Sequence, residues 1–270
     1  MHQLWTFTVP RTGLSAADAA RASHVVASLP APAVVTDIAG LLWLVDVHDP
    51  QVAEDVAGAL RESRLAVTAG VQTVYDAEDR AAADFIGISG ADVDLRLVRD
   101  GEVFSPDPPC PRCGYHDAFD VVRNGPLWID ESVLGDTEVA NLPNGQLLMT
   151  RELTVRLERV PARGLVVEDV LSGRRRISDR FVAVRAEVSV PAPCPVHTTT
   201  LGDGYCSLCG AAHGALEGHF WLPRSAVGEV DVVSRHPHKA AMLLMRRSVL
   251  DAVGDARGLR RGDPAMVCPD

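Results

Sequence analysis

The sequence predicts an α+β protein: an N-terminal ferredoxin-like βαββαβ domain followed by two duplicated zinc-knuckle α/β units. Three observations predict it. Strand-like and helix-like apolar patterns follow one another in that order over the first 76 residues; a Cys-x-x-Cys-Gly motif occurs twice; and the stretches after each motif recur in the same order at a nearly constant offset.

The first segment opens with LWTFTV (4–9), whose composition suits a strand. SAADAARASHVVASL (15–29) is Ala-rich, with Ser15 placed to cap a helix. AVVTDI, the turn AG and LLWLVDV read as a hairpin, QVAEDVAGALRESRL (51–65) as an amphipathic helix, and AVTAGVQTVYD as a closing strand. DAEDRAAAD (76–84) reads as a linker, and GISGADVDLRLVRDGEVF as two strands around an RDGE turn. The Pro cluster of SPDPPCPRCG then marks a boundary. The expected domains are 1–80, 81–190 and 191–270.

From that boundary the chain repeats. Cys110, Cys113 and Gly114 return as Cys206, Cys209 and Gly210, an offset of 96. GPLWIDESVLGDTEV (125–139) returns as GHFWLPRSAVGEVDV (218–232), aligning Trp128 with Trp221 as expected core anchors. Leu147, Leu148 and Met149 return as Leu243, Leu244 and Met245, each followed by a predicted helix with apolar positions at Leu153, Leu157 and Val160, or Val249, Leu250 and Val253. Between the copies, residues 166–190 read as a long hairpin turning at SGRR, with Arg174, Arg175 and Arg176 as a solvated crown.

Charge bears on partners. The formal net charge is −10, and residues 1–109 hold 7 Arg or Lys against 16 Asp or Glu. An acidic front half argues against nucleic acid, whose phosphates demand a basic face, and suits a basic protein partner. The acid-rich helix face around Glu54, Asp55 and Glu62 is the expected contact surface. No apolar run is long enough for a bilayer, and the N-terminal stretch lacks signal-peptide character, so a cytoplasmic protein is expected.

The cysteines point to metal. Cys194-x2-His197-x8-Cys206-x2-Cys209 supplies four soft or borderline donors in two chelating pairs, with Gly202 and Gly204 letting the intervening stretch reverse. Zinc held by four protein ligands is structural, because no position is left for water. Cys110 and Cys113 leave three possibilities open: completion by His116 or a remote residue, a four-thiolate site shared with Cys206 and Cys209, or no metal. Shifting Cys194 and His197 back by 96 lands on Val98 and Gly101, so the first copy lacks that half. Cys268 reads as a lone tail thiol. His236 and His238 read as an exposed loop, and Asp92 and Asp94 as a solvated edge. No phosphate loop, dinucleotide fingerprint, GxSxG elbow or HExxH motif occurs.

CPRCG, CSLCG with Cys194 and His197 ahead of it, and the closing stretch VDVVSRHPHKAAMLLMRRSVLDAVGDARGL resemble the double-CXXCG immunity-protein family of bacterial contact-dependent toxin systems, over roughly residues 105–270. The resemblance implies a small cytoplasmic protein that binds and neutralises a cognate toxin. It carries over no catalytic residue and leaves the acidic first segment without a counterpart. The leading expectation is therefore a non-catalytic, zinc-stabilised binding protein. Its rivals are an enzyme with a site between the front domain and the duplicated half, and a zinc-ribbon adaptor, which would need a basic aromatic face.

Overall fold

The computed structural model describes the chain except residues 66, 93–97, 99–103, 107, 116–120, 124, 143–145, 161, 191, 210, 235–242 and 270. It is a mixed α/β fold of two compact units: Met1–Asp76 with Thr199–Gly202 and Gly214–Gly218, and the remainder.

The first unit holds β1 (His2–Pro10), α1 (Ala16–Ala27), β2 (Val34–Ile38), β3 (Leu42–Val47), α2 (Pro50–Glu62) and β4 (Thr68–Val74). Its sheet is antiparallel, in the order β2-β3-β1-β4. The Ser15 side chain accepts from the Asp18 amide to start α1, and Asp49 accepts from the Gln51 and Val52 amides to start α2, whose Pro50 needs no amide partner. Ala22 and Val26 of α1 and Ala53, Val56 and Leu60 of α2 pack on Phe7, Val9, Val45 and Val47, so both helices cover one face of the sheet. Ala39 and Gly40 both take positive φ (50° and 71°) in the β2–β3 turn, where Leu41 N donates to Ile38 O at 2.8 Å.

The second unit begins with α3 (Ala77–Ala82), formed within the stretch read as a linker. Its Ala, Glu and Arg residues are good helix formers, which a linker reading undervalues. Then follow β5 (Phe85–Ser89), β6 (Phe104–Pro106), β7 (Val121–Arg123), β8 (Trp128–Ile129), a 3-10 turn at Glu131–Val133, β9 (Val139–Asn141), β10 (Leu147–Thr150), α4 (Arg151–Arg159), β11 (Leu165–Ser172), β12 (Arg176–Ala186) and β13 (Val188–Ser189). The chain continues with β14 (Thr199–Tyr205), β15 (Ala212–Glu217), β16 (Phe220–Leu222), α5 (Arg224–Val227), β17 (Val232–Ser234), β18 (Leu243–Arg246), α6 (Arg247–Val253) and β19 (Arg260–Val267).

Two larger sheets result, ordered β8-β11-β12-β10-β9 and β16-β19-β5-β18-β17-β13. Their registers agree. Leu147, Leu148, Met149 and Thr150 face Val184, Ala183, Val182 and Phe181, while the residues 96 further on, Leu243 to Arg246, face Ile88, Gly87, Ile86 and Phe85, each 96 earlier than its counterpart. β5, ahead of the first Cys-x-x-Cys motif, thus lies in the sheet built by elements that follow the second, and β12, ahead of the second motif, lies in the sheet built by elements that follow the first. Leu147, Met149, Val182 and Val184 share one buried core with Ile86, Ile88, Leu243 and Met245, and α4 and α6 pack together over it.

The two Arg-Gly-Leu turns clamp this arrangement. Arg163 O accepts from the Asp231 and Val232 amides, and Arg257 O accepts from those of Glu138 and Val139. Gly164 and Gly258, at φ 89° and 90°, sit where a Cβ would lie 2.8 Å from Val232 O and 2.3 Å from Val139 O. Among the described residues no helix is long and apolar enough to cross a membrane.

Candidate metal centre

The two Cys-x-x-Cys motifs are tight turns. In the first, Gly114 N donates to Cys110 O at 2.8 Å and Cys110 N to Tyr115 O at 2.9 Å, with Gly114 left-handed at φ 70°. It lies between β6 and β7, which pair antiparallel. In the second, Cys206 N donates to Ala211 O at 2.9 Å between the end of β14 and the start of β15.

These turns meet. Cys110 Sγ lies 3.9 Å from Cys206 Sγ, Cys113 Sγ lies 3.6 Å from Cys209 Sγ, and all four sulfurs fall within 4.8 Å of one another. A tetrahedral zinc with sulfurs at about 2.3 Å places them about 3.8 Å apart, so the spacing has the right size for that ion. The Arg112 side chain hydrogen-bonds Ser207 across the two turns.

The thiols are electrostatically unequal. Backbone amides of Cys209 and Leu208, acting against burial, lower Cys206 to about 6, and the Cys113 amide does most to lower Cys110. Burial raises Cys209 to about 12, the neighbouring thiols adding to it. Cys113 is also raised: the Tyr115 amide lowers it, but burial and the Cys110 thiol outweigh that. Four sulfurs this close cannot all ionise unaided, and a divalent cation held among them would supply the missing charge.

A second cluster joins Cys194, His197 and Cys268, whose ligand atoms also lie within 4.8 Å of one another. Thr198 N donates to Cys194 O at 3.0 Å, giving CPVH a turn like that of CPRCG, and Cys194 Sγ sits 3.4 Å from His197 Nδ1. Both cysteines are buried while the imidazole is exposed and tilts against the Trp221 ring at 5.4 Å. Burial opposes ionisation of Cys194, yet hydrogen bonds from Cys268 and His197 bring it to about 7; burial and the Cys194 thiol push Cys268 to about 11.

All six ligands expected from sequence therefore lie in one cluster or the other, but their grouping differs. Cys194 and His197 were expected with Cys206 and Cys209. The residues read as a reversing loop instead form the seven-residue strand β14, and Cys206 and Cys209 join Cys110 and Cys113 rather than Cys194 and His197. Of the three possibilities for Cys110 and Cys113, the geometry is that of the shared thiolate cluster. Cys268, read as a lone thiol, was missed because 71 residues separate it from His197 and local spacing carries no signal. His116, Gly101, Asp94, His236 and His238 lie outside the described residues.

Glu54, Asp55 and Glu62 are exposed on α2, opposite Ala53, Val56 and Leu60, and no side chain of the three is hydrogen-bonded or ion-paired among the described residues. An open groove of about 390 Å³ at the β11–β12 turn is lined by Glu131, Arg174, Arg176, Asp179 and Arg180 among others. Two of its polar groups are occupied locally: Glu131 accepts from Ser178, and Arg180 donates to Gly135 O. No protein-family model matches the chain, and no curated protein matches it either.

Proposed function

We propose that the protein is a non-catalytic, metal-stabilised binding module of immunity type, which neutralises a cognate toxin by covering it. The observation that carries this reading is the Cys110, Cys113, Cys206 and Cys209 cluster. Four protein thiolates fill a tetrahedral zinc, leaving it to hold structure rather than to activate water. The matching registers of the two larger sheets support reading residues 81–190 and 191–270 as duplicated zinc-knuckle units. The β2-β3-β1-β4 order, with α1 and α2 on one face, supports reading residues 1–80 as ferredoxin-like. All six cysteines are free, which suits the reducing cytoplasm.

The contact surface is the outer face of α2, where the side chains of Glu54, Asp55 and Glu62 have no partner among the described residues and meet a basic face of the toxin. The test is association with the product of a neighbouring toxin gene, followed by stopped flow at rising salt. An on-rate that falls steeply with ionic strength, and falls again in the Glu54→Gln, Asp55→Asn, Glu62→Gln variant, supports the reading. A rate indifferent to both rejects that surface.

A further inference from the structure

We propose that Cys194, His197 and Cys268 form a second zinc site that keeps one coordination position for an exogenous thiolate or imidazole donor, with water there in its absence. The site goes beyond the protein-binding reading, which rests on the four-thiolate cluster alone.

The three donors come from two remote segments fixed on opposite sides of one strand. Cys194 N donates to Trp221 O at 2.6 Å, and Cys268 N donates to Leu222 O at 3.0 Å, so β16 sets both sulfurs from the backbone. The 3.4 Å between Cys194 Sγ and His197 Nδ1 matches the about 3.5 Å that a tetrahedral zinc imposes on a thiolate and an imidazole. The matching β8–β11 and β16–β19 registers place Gly173 where the second half has Cys268, and in the sequence the offset of 96 aligns Val98 and Gly101 with Cys194 and His197. The backbone arrangement thus does not itself require donors there, and all three occur together in one half only.

Coordination number separates this centre from the other. Among the described residues no fourth Cys, His, Asp or Glu donor joins the three, and the imidazole side is exposed. Two thiolates and a neutral imidazole give zinc no net charge, whereas four thiolates give it −2; the neutral centre accepts a further donor, anionic or neutral, at little electrostatic cost.

The test uses the full chain loaded anaerobically with cobalt(II), whose visible bands report the donor set. Wild type should bind two ions, and His197→Ala and Cys268→Ala one each; the exposed His197 makes the first variant safe for folding. Imidazole should shift the wild-type bands and leave those of Cys268→Ala unmoved. Equal metal content in wild type and both variants overturns the proposal. So do bands indifferent to imidazole, or a mass 2 Da low from a Cys194–Cys268 disulfide. Loss of metal from the four-thiolate cluster, with the imidazole response intact, would count against the protein-binding reading and not against this one.

Discussion

At the scale of single residues, the ligand chemistry is unevenly shared among similar thiols. Cys206 is a buried thiol whose charge is held by backbone amides, so its replacement removes a sulfur that the turn was built to ionise. Cys206→Ser should cost about one equivalent of metal, read by elemental analysis, while His197→Ala should leave this cluster filled. Asp92 offers a test unconnected with metal. Hydrogen bonds from Arg260 at 2.6 Å and Asn141 at 3.0 Å hold its carboxyl below the ordinary range. A depressed carboxyl stabilises the fold above its ordinary pKa, and that contribution disappears as pH falls through the depressed value. A carbon-13 NMR titration should show Asp92 returning toward the ordinary range in Arg260→Ala. Residue types were readable here, since Cys-x-x-Cys-Gly announces a metal turn. Grouping was not, because it depends on whether Thr199–Tyr205 reverses as a loop or extends as a strand, and Gly202 and Gly204 suit either.

At the scale of elements, the helices and the first hairpin follow from periodicity and caps. Ser15 and Asp49 start helices where the apolar stripes begin, and the apolar positions expected after each Leu-Leu-Met face the core. That β5 joins β18 and β19, and that β12 joins β10 as well as its hairpin partner β11, was hidden, because a two-residue alternation shows which side of a strand is buried and not which sheet receives it. Phe85 and Phe181, 96 residues apart and both fully buried, anchor these two strands. Phe→Ala at either should cost about 3–5 kcal/mol in a denaturant melt. Backbone geometry gives a sharper contrast. Ala39 pays for a positive φ that glycine adopts freely, so Ala39→Gly should stabilise the first unit by about 0.5–1 kcal/mol. Gly258→Ala meets Val139 O at 2.3 Å and should destabilise clearly more than Gly135→Ala, which at φ 53° meets nothing within 4 Å.

At the scale of the whole molecule, strand exchange makes the metal-bearing unit indivisible. β5 lies between β18 and β19, so a fragment of residues 187–270 lacks the middle of its own sheet. Expressed alone it should show the circular dichroism of an unfolded chain; a cooperative melt would mean that the exchange is dispensable. Charge acts at this scale too: the excess of acid over base in residues 1–109 gives the long-range field on which the proposed capture of a basic partner relies. The central claim is that Cys110, Cys113, Cys206 and Cys209 hold one zinc between them. It is tested most directly by zinc-edge X-ray absorption on the full chain carrying His197→Ala and Cys268→Ala, which silences the other cluster. One zinc per chain with four sulfurs at about 2.3 Å is the expected result. A shell containing nitrogen or oxygen, or no zinc at all, would contradict it.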